Sequence, residues 1–190
     1  MQVARASYQE QVSKLNIEDL VFMDETGVNI GMTRLYARAP RGQRAIGRAP
    51  RNRGKNITLL GAMGIDGIIA AMTIEGAIAK EAFQVYVNQV LVPQLRPGQV
   101  VIMDNLAVHK VKGMREAIES KGAQLLYLPP YSPDLSPIEE CWSKLKQWLR
   151  SQGKRDREAL EEAIAQGLKR VTETDAKGWF THSGYLGTSI

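Results

Sequence analysis

The chain has 190 residues, 44% of them hydrophobic and 24% charged, with a formal net charge of +5, one cysteine and two histidines. This composition supports one sizeable core, excludes a disordered chain and an intramolecular disulfide, and argues against a structural zinc site. Because no segment near Met1 resembles a signal peptide and no run approaches the roughly 18 apolar residues of a membrane span, we expect a cytoplasmic protein without membrane contact.

The first predicted element is a short buried strand. Residues 20–24 read Leu-Val-Phe-Met-Asp, an apolar run that is typical of a strand whose carboxyl end carries Asp24. Residues 1–19 are mixed polar and charged, and we treat them as an N-terminal extension. An aspartate at a strand end is by itself most simply a turn cap, so Asp24 gains a functional interpretation only from its neighbours.

A dense basic segment follows this strand. Within a predicted insertion over residues 30–56, the stretch 34–55 has eight basic side chains and no acidic one, and the rest of the chain is slightly negative. Arginines interleaved with glycine and proline do not form a core, and they suit the neutralisation of closely spaced phosphates; a merely solvated loop is the simpler alternative. The candidate nucleic-acid-binding residues are Arg34, Arg38, Arg41, Arg44, Arg48, Arg51, Arg53 and Lys55.

A hairpin and a helix come next. The dipeptide Asp66-Gly67 is a strong hairpin signal, and the apolar segments 56–64 and 68–74 lie on its two sides. We therefore expect two antiparallel strands. From residue 80 to residue 95, apolar residues recur at spacings of three and four, which predicts an amphipathic helix that stops among the following prolines.

The second half of the chain continues to alternate strands and helices. Residues 100–104, Val-Val-Ile-Met-Asp, repeat the pattern of the first strand and predict a second buried strand that ends in Asp104. A short helix over residues 112–121 and a strand over 124–128 follow. If the strands that end at Asp24 and Asp104 are parallel neighbours, both carboxylates meet at one edge of a sheet.

The helix that begins near Ser136 supplies a third carboxylate. Ser136 is a suitable N-cap, Pro137 suits the first helical position, and Glu139 follows the cap by three residues, so a capping box is the structural explanation for Glu139. At about 100° per residue, Glu139 lies at the border of the apolar stripe of this helix, whereas Glu140 points nearly opposite. We expect Glu139 to face the sheet edge and Glu140 to face solvent.

The order of elements predicts an α/β fold, namely a mixed sheet flanked by helices with an antiparallel hairpin on part of it. We assign residues 20–150 to this domain and residues 151–190 to a C-terminal helical extension of the same domain. Within the extension, apolar spacing predicts a peripheral helix over residues 156–171 that packs on the domain.

Gathering Asp24, Asp104 and Glu139 at one edge implies a cation, because three carboxylates repel each other unless positive charge compensates them. Oxygen ligands without a Cys or His cluster favour Mg²⁺ or Mn²⁺, and so few protein ligands leave positions for water and a substrate phosphate. Two such ions orient an attacking hydroxyl and stabilise the departing oxygen of a phosphodiester displacement. The expected chemistry is therefore phosphoryl transfer on DNA.

Three motifs of the chain resemble those of the mariner superfamily of DDE transposases, and within it the bacterial insertion-sequence branch. They are Phe22-Met23-Asp24-Glu25-Thr26, Met103-Asp104-Asn105 with His109, and the proline-rich segment Leu128-Pro129-Pro130-Tyr131-Ser132-Pro133-Asp134-Leu135-Ser136-Pro137-Ile138-Glu139. The 34 residues between Asp104 and Glu139 are the kind of spacing that this branch shows. The resemblance runs from about Asp19 to Arg150.

The resemblance implies a ribonuclease H-like fold, metal-dependent hydrolysis at transposon ends, and attack of the resulting 3′-hydroxyl on target DNA. It implies that Asp24, Asp104 and Glu139 are the catalytic residues and the ligands of two Mg²⁺ or Mn²⁺ ions. Asn105 and His109 would be supporting residues that orient Asp104 or approach the DNA; for His109, a purely structural hydrogen-bonded role is an equal alternative. Relatives act as dimers, so the resemblance also implies a homodimer.

Relatives carry N-terminal helix-turn-helix modules that read the transposon ends, whereas Met1 lies about twenty residues before the first predicted strand. A second reading frame joined by frameshifting, a truncated remnant and a separately expressed catalytic domain each explain this start. The leading hypothesis is a transposase catalytic domain that acts in the bacterial cytosol and associates with the nucleoid. The alternatives are a catalytically inactive fragment that binds DNA or dimerises as a regulator, and a ribonuclease H-like nuclease acting on RNA–DNA hybrids or junctions.

Overall fold

The computed structural model describes residues 2–105 and 113–185, and within them five strands form one mixed sheet. The strands are β1 Leu20–Val28, β2 Ile57–Gly64, β3 Gly67–Glu75, β4 Val100–Met103 and β5 Gln124–Tyr127. Their spatial order is β3-β2-β1-β4-β5, in which β1 pairs antiparallel with β2 and parallel with β4. The predicted α/β fold with an antiparallel hairpin on one side is confirmed.

Helices cover both faces of the sheet. They are α1 Gln2–Val12, α2 Lys80–Val85, α3 Met114–Glu119, α4 Pro137–Gln152, α5 Arg157–Leu168 and α6 Glu173–His182. Phe83 of α2 and Ile118 of α3 are buried in the core on one face, whereas Tyr8 of α1, Trp142 of α4 and Phe180 of α6 are buried in the core on the other. Among the helices described, none is long and apolar enough to cross a bilayer.

The central strand β1 continues beyond its predicted end at Asp24. The prediction of a strand over residues 20–24 was too short, because β2 pairs with β1 along its whole second half. Side chains alternate along the strand, so Leu20 and Phe22 belong to the core under α4, whereas Met23 belongs to the core under α2. By the same alternation, the Asp24 carboxylate lies on the α4 face.

The predicted hairpin is confirmed, but the helix after it is less regular than predicted. β2 and β3 are joined by a tight turn in which Gly67 has a φ of 123°, a backbone conformation that favours glycine. Of the helix expected over residues 80–95, only α2 is α-helical; residues 86–91 form a π-helical turn and residues 92–94 a 3-10 turn. The proline at 93 has no N–H to continue the hydrogen-bond ladder, so the helix ends in irregular turns.

The sequence did not predict α1. Of this helix only Tyr8 and Val12 are buried hydrophobics, so its apolar periodicity is weak, although both side chains join the core under α4. The other predicted elements are confirmed with shifted ends: the helix over 112–121 is α3, the strand over 124–128 is β5, and the helix over 156–171 is α5.

Candidate active site

Two aspartates reach one end of the sheet through the parallel pairing of β1 and β4. Leu20 pairs with Val100 and Phe22 with Ile102, so the same register places Asp24 level with the residue that follows β4, Asp104. Because side chains alternate along a strand, both aspartates share the face on which α4 packs. The condition under which the two carboxylates were expected to meet, that the two Met-Asp strands are parallel neighbours, is fulfilled.

A third carboxylate comes from the first turn of α4. Ser136 is the N-cap of this helix, but its side chain makes no capping hydrogen bond, so the expected capping box does not form. Only the backbone participates, with the Glu139 N–H donating to the Ser136 carbonyl at 3.1 Å. The capping explanation for Glu139 was therefore wrong, and its exposed side chain lines the same cavity as the two aspartates.

The neighbouring Glu140 turns away from this cavity. Its Oε1 lies 3.3 Å from Nε2 of His182 in α6, and 37% of its side chain is exposed. Glu140 thus lies on the partly solvent-exposed side of α4, beside the end of α6. The structure places Glu139, and not Glu140, in the wall of the cavity.

The cavity has a volume of about 410 Å³ and is lined by all three carboxylates, Asp24, Asp104 and Glu139. The proline-rich segment 128–133 forms much of its wall. The carboxylates surround this space without touching as a cluster, and among the described residues no three His, Cys, Asp or Glu side chains stand close enough to form a ready-made metal site. The cavity thus leaves room between the acidic groups for ions, water and a phosphate.

The surroundings of Asp24 oppose its ionisation. Burial raises the pKa of its carboxyl group to about 7, and repulsion by Glu139 and by Glu25 acts in the same direction. The indole Nε1 of Trp142 donates a hydrogen bond to Asp24 Oδ2 at 2.9 Å, which orients the carboxylate and partly offsets the rise. A carboxylate destabilised in this way is one that a divalent cation relieves.

A glycine makes the contact between Trp142 and Asp24 possible. Gly61 of β2 pairs with Asp24, and a Cβ atom at this position would clash with Cη2 of the Trp142 ring. Any larger residue there displaces the indole and with it the donor to Asp24. Sequence reasoning missed both roles, because Trp142 was only one member of an apolar helical stripe and nothing distinguished Gly61 from other strand residues.

The proline-rich wall has a strained backbone. Tyr131 has a φ of 56°, the one positive φ of a non-glycine residue among those described, and 89% of its surface is exposed. The next residue, Ser132, is buried, and its hydroxyl accepts a hydrogen bond from Arg5 of α1 at 3.0 Å. An N-terminal helix therefore contacts the wall of the cavity.

The basic segment, residues 34–55, is an exposed irregular connection between β1 and β2. It is fixed at its ends: Arg155 donates to the carbonyl oxygens of Ile30 and Met32 at 2.9 and 3.0 Å, and Lys55 pairs with Glu75. Within the described part of the chain, the seven arginines of the segment make no ion pair. The segment leaves β1 beyond Asp24, so it starts at the end of the sheet where the cavity lies.

The two supporting residues differ in what the structure says about them. Asn105 follows Asp104 and is an exposed part of the cavity wall. His109 lies outside the described residues, so its supporting role stays a prediction.

A family model described as DDE superfamily endonuclease matches residues 19–161 of the chain. This match includes Asp24, Asp104 and Glu139, and it extends from the start of β1 into α5. No curated protein sequence matches significantly.

Several solved structures are similar to the chain. The Mos1 transposase paired-end complex with left transposon end has a TM-score of 0.76 and 18% identity, and the match covers 94% of this chain and 57% of that one. The Mos1 mariner paired end complex with Mn has a TM-score of 0.67 and 18% identity, covering 95% and 57%. The catalytic domain of Mos1 mariner transposase has a TM-score of 0.64 and 14% identity, covering 97% and 85%. These matches confirm the predicted ribonuclease H-like fold.

Proposed function

Because the chain belongs to the DDE superfamily endonucleases, we propose that it is the catalytic domain of a DNA transposase, which hydrolyses phosphodiester bonds at transposon ends and joins the 3′ ends to target DNA. The observation that carries this proposal is the presence of Asp24, Asp104 and Glu139 around one cavity at the end of the sheet to which β1 and β4 lead. The chain spans 57% of the Mos1 transposase chain in the paired-end complex. The activity of a whole transposase is therefore proposed here, not taken over from that relative.

The donor set of the cavity fits divalent metal ions. Among the described residues that line the cavity, the donors are carboxylate oxygens with no Cys or His, which suits Mg²⁺ or Mn²⁺, and the repulsion between Asp24 and Glu139 favours a cation between them. Mos1 complexes are known with Mn and with Mg. We propose that the three carboxylates hold two such ions, which when bound would supply Lewis acidity toward the scissile phosphate and an activated oxygen nucleophile.

The role of the protein is to position the three carboxylates. Asp24 is held on β1 and Asp104 directly follows the paired strand β4, and the Trp142 indole fixes the orientation of the Asp24 carboxylate. Glu139 has the longest side chain of the three and is exposed, so it can adjust to the ligands from the start of α4. Ligands held on strands and on a helix keep the reacting groups in register better than ligands on a loop.

We further propose that the basic segment binds the phosphate backbone of DNA beside the cavity. Its exposed arginines have no carboxylate partners among the described residues, and they carry the charge density that phosphates attract. The same proposal places the chain with the nucleoid in the bacterial cytosol. It also includes a homodimer on paired ends and a helix-turn-helix region that reads the end sequence.

The test of catalysis is nicking of supercoiled plasmid DNA by the purified chain in Mn²⁺ or Mg²⁺. Asp24→Asn, Asp104→Asn and Glu139→Gln should each lower the rate by about 10³-fold or more, since each removes an ion ligand, which corresponds to roughly 4 kcal/mol of transition-state stabilisation. Glu140→Gln is the matched control, because it alters the adjacent carboxylate that faces His182.

Undiminished nicking by Asp24→Asn or Asp104→Asn would contradict the proposal. Failure of the wild type to nick in either metal, while it still binds DNA, would favour the inactive regulator instead. A substrate comparison completes the experiment: faster cleavage of an RNA–DNA hybrid than of duplex DNA would replace the transposase with a hybrid-specific nuclease. The presence of all three carboxylates on one cavity supports the active enzyme over the inactive fragment.

A further inference from the structure

Arg5 joins the N-terminal helix to the wall of the candidate active site. Its Nη1 donates to Asp134 Oδ1 at 2.9 Å and to Ser132 Oγ at 3.0 Å, while Nη2 donates to Asp134 Oδ2. The pair is bidentate, which is the strong geometry for a guanidinium and a carboxylate. The third bond ends on the hydroxyl of a buried serine that also lines the cavity.

A second contact reinforces the first from the same helix. The hydroxyl groups of Tyr8 and Tyr185 lie 2.7 Å apart, and the Tyr185 hydroxyl donates to the Leu135 carbonyl at 2.6 Å. Because the Tyr185 proton is used on that carbonyl, Tyr8 is the donor between the two hydroxyls. Tyr8 and Leu135 are buried and both hydroxyl contacts are partly buried, so water competes with these hydrogen bonds only in part.

These contacts hold the short segment 132–135, and both of its ends matter for the cavity. On one side it follows Tyr131, whose strained backbone presents an exposed ring at the cavity wall. On the other side it leads into the N-terminus of α4, which carries Glu139. A strained conformation persists only where its surroundings hold it, and Arg5 is the charged group that holds this one.

We propose that Arg5 is a positioning residue of the active site, which acts through Ser132 and Asp134 to set Tyr131 and Glu139 against the two aspartates. The inference rests on the proposed metal-dependent cleavage of DNA. Both ends of the Arg5 guanidinium are engaged with protein groups, so its loss should disturb the geometry of the site rather than the affinity for DNA.

The experiment compares Arg5→Ala with the exchanged pair Arg5→Asp with Asp134→Arg. The matched control is Lys14→Ala, which removes the ion pair between Lys14, in the turn after α1, and Glu10 of α1, 2.9 Å apart and away from the cavity. In Arg5→Ala we expect kcat for nicking to fall about tenfold and the Mn²⁺ concentration for half-maximal rate to rise several-fold, as is usual when a group that orients metal ligands is lost. KM for DNA should stay within about twofold, and the exchanged pair should recover much of the rate.

Hydrogen exchange of the backbone amides at 131–136 provides a readout that does not depend on activity. We expect faster exchange there in Arg5→Ala and no change in Lys14→Ala. A folded Arg5→Ala with wild-type kcat and wild-type Mn²⁺ dependence overturns the inference. If Arg5→Ala does not fold, the exchanged pair decides, since recovery of both fold and rate supports the inference and a folded but inactive pair overturns it.

The two proposals fail in different ways. If the wild type itself does not nick DNA, the proposed function is wrong, and the exchange rates at 131–136 decide about Arg5 by themselves. Unchanged exchange in Arg5→Ala then overturns the inference, and local acceleration confined to that segment supports it.

Discussion

The cavity and the basic segment both adjoin strand β1, but they differ in how their structure is determined. Asp24 is placed by pairing with β2 and β4 and by the Trp142 indole, so its surroundings come from distant parts of the chain. The basic segment is fixed at its ends and is exposed between them. One region therefore depends on long-range packing, and the other depends on its own local composition.

The two regions therefore differ in what their function requires, which is precise geometry in the cavity and charge density in the basic segment. Orienting a nucleophile and a scissile phosphate requires atoms held within a fraction of an ångström, which only packed elements provide. Neutralising a phosphate backbone requires charge density, which an irregular segment supplies through many interchangeable contacts. Mutations in the cavity should therefore change mainly the rate of DNA nicking, and mutations in the basic segment should change mainly the affinity for DNA.

The largest difference between the effect on DNA affinity and the effect on nicking rate is expected from mutations in the basic segment. Changing four of its arginines to glutamine should weaken DNA binding by about 10- to 100-fold near physiological salt. The slope of log K against log salt should fall in magnitude by about 3 to 4, because each phosphate contact that is lost no longer releases a counterion on binding. At saturating DNA, the nicking rate should change less than about threefold. Fluorescence anisotropy over a salt series measures the binding. The four positions are Arg38, Arg41, Arg44 and Arg48.

The control for this prediction removes the same charge elsewhere. Four exposed lysines outside the segment are changed to glutamine for this purpose. Their replacement should weaken DNA binding far less if the segment itself is the DNA contact. Equal losses of affinity in the two variants would show that only net charge matters. The control positions are Lys14, Lys121, Lys169 and Lys177.

The same contrast explains how much the sequence could predict. Asp24 and Asp104 were identifiable because a short continuous apolar run that ends in a carboxylate is a local pattern, typical of a buried strand. The Gly61 position opposite Asp24 was not identifiable, because strand register is fixed by pairing partners that lie far along the chain. Arg5 and Ser132 are 127 residues apart in the sequence, and Arg5 lies on a helix with a narrow buried face, so no local sequence pattern predicts their contact.

A second, intermediate effect concerns the stability of the metal-free protein against pH. Burial, with repulsion by Glu139 and by Glu25, raises the pKa of Asp24 to about 7 from an ordinary value of 3.8. The folded state therefore keeps a proton that the unfolded state has already released, and stability falls as pH rises from about 4 to about 7 and is level above that. Asp24→Asn removes this slope.

We expect the free energy of unfolding of the wild type to drop by about 2 kcal/mol more than that of Asp24→Asn between pH 4.5 and 8, a value reduced from the full shift because the side chain is partly accessible. Urea titrations in EDTA measure it, with Asp66→Asn at the exposed hairpin turn as the control. Mn²⁺ should raise the wild-type midpoint at pH 8 and leave Asp24→Asn unchanged. A wild type that becomes more stable toward pH 8 would contradict the described surroundings of Asp24.

The smallest effect should come from Trp142→Phe, which keeps an aromatic ring under the sheet but removes the N–H that bonds to Asp24 at 2.9 Å. Loss of one hydrogen bond to a carboxylate at a partly open site should lower kcat by about three- to tenfold and leave DNA affinity unchanged, since the basic segment is untouched. Trp148→Phe on the same helix is the matched control, because its N–H donates at 3.3 Å to the Ala163 carbonyl away from the cavity. The lost donor opposed the rise of the Asp24 pKa, so the pH at half-maximal rate should also move upward in Trp142→Phe alone. Equal losses in the two variants would mean that the indole matters only for packing in α4, and that Asp24 is oriented by the strand alone.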